Sequence, residues 1–168
     1  MEYKKISIKD ASKLSLLIKE MKDNLTNKSW FLPMESDIES VKEMINKTRF
    51  YILGAFDGEN LAGIASLDYK NGKMPEKYPF PSWCDVSKMV EFSFCIVGVK
   101  YRGKGLMYEM LKKIREIAIS QKYEFACCTV HNDNYPSKKN LLKIGFKYYM
   151  SVEQGSNYPR DILLMRLV

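Results

Sequence analysis

The stretch from Val90 to Phe146 narrows the possible folds more than any other part of the chain. The strand-like run Val90-Glu91-Phe92-Ser93-Phe94-Cys95-Ile96-Val97 passes through Arg102-Gly103-Lys104-Gly105-Leu106 into an amphipathic helix. A second strand follows, then Asn134, with Gly145-Phe146 eleven residues further on. A strand that opens through a basic, glycine-containing turn into a helix is a device for holding phosphate. The glycines let backbone N–H groups face an anion, and the helix N-terminus adds partial positive charge. The chain therefore reads as built to grip a phosphorylated ligand.

The rest of the pattern is that of a mixed α/β domain. Tyr3 to Ile8 reads as a strand, and Asp10 as the N-cap of a helix to about Asn24, with Ala11, Leu14, Leu17, Ile18 and Met21 on one face. A second helix is expected from Ser36, with Glu39 completing a capping box and Val41, Met44 and Ile45 facing inward. Phe50 to Phe56 and Leu61 to Tyr69 read as a hairpin turning at Asp57-Gly58. Lys70 to Lys88 carries Pro75, Pro79 and Pro81 among Tyr78, Phe80 and Trp83. Prolines at that density exclude a helix or central strand, so this is a loop: an ordered flap over a ligand, or a cover for its own patch of core. Beyond it come the 90–97 strand, a helix from about Lys104 to Ser120, and a strand from Glu124 to Val130 with Cys127 and Cys128 on opposite faces. A helix opening at Pro136 and stopping at Gly145 follows, then strands at 146–152 and 161–167. The expectation is one domain over 1–168, made of a 1–69 half, the 70–88 loop and an 89–168 half.

Composition removes several classes. No apolar run is long enough to span a bilayer, and Met1-Glu2-Tyr3-Lys4-Lys5-Ile6 lacks the apolar core of a secretory signal. The cysteines Cys84, Cys95, Cys127 and Cys128 form no C-x-x-C pair, and His131 is the single histidine, so no metal site is expected. Reduced cysteines in apolar runs fit a cytoplasmic setting. The net charge of +7 would draw an anionic ligand. Its lysines are spread along the chain without a basic tail or nucleic-acid motif, which argues against nucleic acid as a partner.

Three glycine-loop chemistries compete at Gly98 to Tyr108. Gly98 to Lys104 fits G-x-x-x-x-G-K, but Gly105 stands where a P-loop needs a hydroxyl for magnesium. The dinucleotide pattern fails because Tyr108 stands where its third glycine should be. The pyrophosphate-binding pattern R-x-x-G-x-G matches at Arg102 and Gly105, with Met107 in its final small-residue slot.

With these motifs the chain resembles the GCN5-related N-acetyltransferases over nearly its whole length. The resemblance rests on the element order β-α-α-β-β-β-α-β-α-β-β and the Val97-x-Val99-x-x-Arg102-Gly103-Lys104-Gly105 loop. It rests also on Asn134 before Gly145-Phe146 and on the Ile8-Lys9-Asp10-Ala11 entry. It implies that family's fold: a mostly antiparallel sheet of about seven strands, flanked by about four helices and splayed between strands 4 and 5. It implies acetyl-CoA as co-substrate, with Cys95, Ile96 and Val97 along the pantetheine arm. Val99, Arg102, Gly103, Lys104, Gly105, Leu106 and Met107 would lie at the pyrophosphate, and Asn134, Ser137 and Lys138 on the far side.

Acetyl transfer to an amine needs a polarised thioester and a free amine, because an ammonium has no lone pair to attack with. Glu91 stands eleven residues before Arg102, where the histone-acetylating branch of the family keeps its general base. Strict alternation would put Glu91, Ser93, Cys95 and Val97 on one side of the strand. The other reading of Glu91 is a strand-end carboxylate in solvent or paired with a lysine. The family's proton-donating tyrosine slot is Leu141, which has no proton to give. Tyr135, Tyr148 and Tyr149 are not positioned by the sequence to replace it. His131 reads as a loop or capping residue, and Cys95 and Cys128, lacking a partnered histidine, read as packing residues rather than nucleophiles.

The acceptor site is expected around Trp30, Phe31 and Glu35, with Trp83 from the 70–88 loop. The leading expectation is direct transfer, in a ternary complex, to a primary amine of a small molecule or peptide by a monomer or homodimer. The alternative is a non-catalytic module on the same fold, sensing coenzyme A or binding nucleic acid.

Overall fold

A computed structural model describes residues 1–69, 78–153 and 159–168. Its centre is a seven-stranded sheet in the order β1-β2-β3-β4-β5-β7-β6. The strands are β1 (Glu2–Lys5), β2 (Phe50–Asp57), β3 (Asn60–Asp68), β4 (Met89–Val97), β5 (Phe125–His131), β6 (Lys147–Glu153) and β7 (Pro159–Arg166). Every pairing is antiparallel except β4 with β5.

Helices cover both faces. On one side, α1 (Ala11–Asp23) buries Leu14, Leu17, Ile18 and Met21, and α2 (Ile38–Asn46) buries Val41, against Ile52, Phe56, Ile64, Phe94 and Ile96. On the other, α3 (Leu106–Ser120) buries Met110, Leu111, Ile114 and Ala118, and α4 (Tyr135–Lys143) buries Leu141. These three- and four-residue spacings give each helix one apolar stripe for the sheet. Cys127 packs with Phe125, Ile162 and Leu164 on the α1 side, and Cys128 with the α3 side, as alternation along β5 requires.

The helix starts differ from expectation. β1 stops at Lys5, and residues 8–10 form a 3-10 turn leading into α1. Asp10 is the N-cap of α1, as expected, but its carboxylate makes no bond into that helix and instead accepts from the Ser7 backbone N–H at 2.9 Å and hydroxyl at 2.8 Å. In α2 the cap is Asp37, which accepts from the Ser40 N–H at 2.9 Å, in place of a Ser36–Glu39 box. Both residues carry suitable oxygens, and the backbone enters the helix at Asp37, which is extended with φ −67° and ψ 149°. The β2–β3 turn sits at residues 58–59, with Gly58 at φ +60°. Lys104 and Gly105 belong to the turn before α3, which begins at Leu106.

Two irregularities in β4 shape the site. β4 and β5 pair only at Met89–Phe125, Val90–Ala126 and Glu91–Cys127. Beyond Glu91 the two strands diverge. On its other edge, β4 carries one extra residue between its pairings with Ala65 and Leu67. The buried Ser66 hydroxyl fills the irregularity, accepting from the Phe94 N–H at 3.1 Å and donating to the Phe94 carbonyl at 3.3 Å. This bulge flips the alternation. Phe94 and Ile96 face α1, whereas Cys95 and Val97 pack on the α3 side. Glu91, Ser93, Cys95 and Val97 therefore do not share one face, as strict alternation had predicted.

The first part of the proline-rich loop, residues 70–77, lies outside the described residues. The remainder packs: Tyr78 is buried edge-on to Phe80, and the Pro79 carbonyl accepts from the Tyr149 hydroxyl at 2.6 Å.

Candidate active site

The divergence of β4 from β5 opens a cleft of about 680 Å³ on the coenzyme-loop side. Its walls include Cys95, Ile96 and Val97 of β4, and Arg102, Gly103, Gly105, Leu106 and Met107 of the turn. Asn134, the N-cap of α4, and Ser137 within that helix face it from the other side. Gly103 and Gly105 have φ of +72° and +79°, the left-handed region that glycine enters without strain. A Cβ built on either would meet no atom within 4 Å. The turn thus presents bare backbone to the cleft. Gly105 is the N-cap of α3 and supplies no side-chain hydrogen bond, so the first-turn N–H groups are left for an anion. Arg102 is steadied by its Nε–H bond to the Val97 carbonyl at 3.3 Å. This geometry suits a coenzyme pyrophosphate.

Three residues expected at the coenzyme do not line this cleft. Val99 turns outward, its N–H donating to Glu20 Oε2 at 3.1 Å. Lys104 extends over the Tyr101 ring, 5.9 Å from its centroid. Lys138 bonds the Asn132 carbonyl at 2.8 Å and pairs with Asp161. Lys139, Asn140 and Lys143 of α4 do line it, and the sequence reading had passed them over. Their signal was present: Lys139 and Lys143 are four apart and share a helix face.

A second cavity, about 440 Å³, opens on the α1 side of the same fork. Phe31, Cys95, Asn134 and Ser137 line both spaces, so the two meet where the strands part. Its floor crosses the sheet through Asp68 of β3, Glu91 of β4, Thr129 of β5 and Arg160 of β7. Glu91 is 6% exposed and is the last β4 residue paired to β5. Asp68 lies directly opposite Glu91 in the β3–β4 ladder, an arrangement that by itself would repel. Arg49 offsets it with a bidentate pair to Asp68, both bonds 2.7 Å. The bond to Asp68 also raises the Arg49 pKa, its charge and that of Glu91 adding to the effect against a burial cost.

The roof is the segment after α1. Trp30 and Phe31 line the cavity, but Glu35 is exposed and does not. Trp83 is 60% exposed and sits by Phe125, away from both spaces. The roof is pinned to the ends of β5 and β7. Arg160 Nη2 donates to the Ser29 carbonyl at 2.9 Å, the Ser29 hydroxyl meets His131 Nε2 at 3.1 Å, and Trp30 Nε1 donates to Asp133 at 2.5 Å. His131 is therefore engaged in holding the roof. Arg49, Asp68 and Arg160 carry no local signal because they come together only when the turn before β2, the end of β3 and the start of β7 are assembled.

Leu141 is buried among the α3-side core residues, while Tyr135 is 70% exposed. Burial pushes the Cys95 thiol up to about 12 and the Cys128 thiol well above its ordinary value, Glu91 adding to the latter. At neutral pH neither is a thiolate nucleophile. None of the four cysteines is in a disulfide. Among the described residues there is no group of three or more His, Cys, Asp or Glu side chains placed to hold a metal, and no helix is long and apolar enough to cross a membrane.

A sheet forked at its one parallel pair, with a bare-backbone turn on one side and a cavity lined by two carboxylates and two guanidiniums on the other, defines an acyltransferase fold. The chain belongs to the GNAT acetyltransferases: the family profile described as Acetyltransferase (GNAT) domain matches residues 5–147. An N-acetyltransferase from Staphylococcus aureus Mu50 superposes with a TM-score of 0.74 at 16% identity, over 99% of this chain and 98% of that one. A ribosomal-protein-alanine N-acetyltransferase from Brucella melitensis gives 0.73 at 19%, over 98% of each chain. A GNAT-family acetyltransferase from Streptococcus pneumoniae gives 0.70 at 18%, again over 98% of each. At these identities the likeness is one of fold. No curated protein matches the chain.

Proposed function

We propose that the chain is a cytoplasmic acetyl-CoA-dependent N-acetyltransferase, one domain over 1–168, acting on a primary amine in a ternary complex. The observation that carries this is the meeting of the two cavities at the β4–β5 fork, with Glu91 at its base. Arg102, Lys139 and Lys143 supply positive charge to the coenzyme cleft, and the turn at Gly103 and Gly105 supplies backbone donors. The edges of Cys95 to Val97 exposed by the divergence hold the pantetheine arm, and a backbone N–H there polarises the thioester carbonyl.

Glu91 takes a proton from the incoming ammonium, directly or through one water. The amine nitrogen then bonds to the carbonyl carbon as the carbon–sulfur bond breaks, the thiolate leaves with the bonding pair, and the nitrogen releases its second proton to solvent. With Leu141 in the tyrosine slot, solvent protonates that thiolate. This is tolerable because a thiol with a pKa of about 8.5 is a fair leaving group. Direct transfer requires no cysteine acyl intermediate, consistent with the raised Cys95 and Cys128 thiols.

The test is initial-rate kinetics with acetyl-CoA and a panel of amines, read by thiol release. Intersecting double-reciprocal lines are expected, and parallel lines would reject direct transfer. The buried Leu141 favours one alternative, a coenzyme sensor. That reading would show thermal stabilisation by acetyl-CoA with no turnover on any amine.

A further inference from the structure

Resting on the proposed function, we infer that the acceptor is a monoamine carried on a compact apolar or aromatic body, and not a polycation. The walls of the acceptor cavity are Trp30, Phe31, Met34, Met44, Phe50 and Phe94. These rings and thioethers reward apolar contact, and the remaining polar lining, Ser93, Thr129, Asn134 and Ser137, is uncharged, so away from the floor a second ammonium meets no carboxylate.

The charges point the same way. Among the described residues the ionisable groups lining the cavity are Arg49, Asp68, Glu91 and Arg160. Two guanidiniums and two carboxylates sum to zero formal charge. Asp68 already has both oxygens on Arg49. The floor thus has no surplus of negative charge with which to hold several ammonium groups. The chain's net charge of +7 further disfavours the approach of polycations. Glu91 lies at the fork, where the single amine that reacts would arrive. The aromatic walls can stabilise that one cation through ring quadrupoles as it enters, and they bury whatever body carries it.

The volume sets a ceiling on size. At about 440 Å³ the cavity is at the small end of ligand sites. An alkylamine or arylalkylamine fits such a space with its body against the walls.

The experiment compares matched pairs on the intact protein, with acetyl-CoA binding measured first by thermal shift. The pairs are hexylamine against 1,6-diaminohexane, and phenethylamine against an aminoglycoside, read by thiol release. In parallel, the Trp83→Phe variant leaves Trp30 as the only tryptophan, and its fluorescence reports amine binding without turnover. From butylamine to hexylamine, affinity should rise about fourfold per methylene, as buried CH₂ groups predict. The monoamine of each pair should exceed its polycationic partner at least tenfold in kcat/KM. Met44→Lys should raise KM for hexylamine at least tenfold and leave acetyl-CoA affinity unchanged. If the diamine or aminoglycoside equals its partner, or affinity is flat across the series, the inference is overturned while the acetyltransferase reading stands. Acceptance of no monoamine by a protein that binds acetyl-CoA also overturns it. Failure to bind acetyl-CoA overturns the parent reading, and this one with it.

Discussion

Replacing Gly105 by glutamate should separate the phosphate role of the turn from its contribution to folding. Gly105 has φ +79°, and a Cβ there has no neighbour within 4 Å, so the first atom of the new side chain clashes with nothing. Its backbone cost is that of the left-handed region, about 1–2 kcal/mol for an L residue. For a domain of this size that lowers Tm by about 2–8 °C and leaves the protein folded. The carboxylate would stand at the turn that the coenzyme pyrophosphate approaches. A unit charge roughly 5 Å from another costs about 1 kcal/mol at the dielectric of water and about 3 kcal/mol at the effective value for a protein surface. The expected loss of acetyl-CoA affinity is therefore about fivefold to 150-fold. Gly58→Ala is the control. Gly58 also has a positive φ, +60°, and open space around its Cβ, but it lies in the β2–β3 turn. That variant should lose stability and keep full affinity. Calorimetry with acetyl-CoA and a thermal melt on each protein decide the matter. If Gly105→Glu folds and binds within threefold of wild type, the turn is not the phosphate site.

Glu91→Gln should keep acetyl-CoA affinity and lose about 10²- to 10⁴-fold in turnover on an accepted amine, the deficit shrinking at high pH where more amine is free; equal pH–rate profiles would remove Glu91 as the base. Arg102→Gln should weaken acetyl-CoA binding and flatten its decline with salt, measured by calorimetry at two ionic strengths; an affinity indifferent to salt in the wild type would count against the electrostatic role. Asp161 is buried, which alone would raise its pKa, but bonds from Lys138 and Ser151 and the charges of Lys138 and His131 outweigh this and hold it below the usual carboxylate range. A depressed folded pKa stabilises the protein above the unfolded value near 4, and that contribution is lost as pH falls through the folded value. Asp161→Asn should therefore melt lower than wild type at pH 7, with the gap closing below about pH 4; a constant gap down to pH 2 would refute the linkage.

Much of the architecture could be read from local pattern. The helices α1 and α3 announce themselves because burial on a sheet demands apolar residues every three or four positions, and Leu14, Leu17, Ile18 and Met21 meet that demand without reference to any partner. Arg102 to Leu106 was legible for the same reason: two positive-φ glycines and a helix start are local requirements. The cap of α2 moved from Ser36 to Asp37 because both residues have suitable oxygens, and only the entering backbone selects between them.

What sequence alone could not supply is whatever depends on register between distant strands. The bulge held by Ser66 turns Cys95 to the α3 side and leaves Phe94 facing α1, an outcome fixed by pairing between β3 and β4, not by any property of residues 90–97. Lys138 and Lys139 look alike in the chain, yet Asp161 engages the first and the second lines the cleft beside the Arg102 turn. Trp83 is a large aromatic that lies away from the fork, while Arg49 from the turn before β2, Asp68 of β3 and Arg160 of β7 converge on the α1-side cavity. Local sequence fixes which elements form, because their hydrogen bonds and apolar stripes close within a few residues. Only the assembled sheet decides which charges face one another, because those distances are set by strand order and by one extra residue in β4.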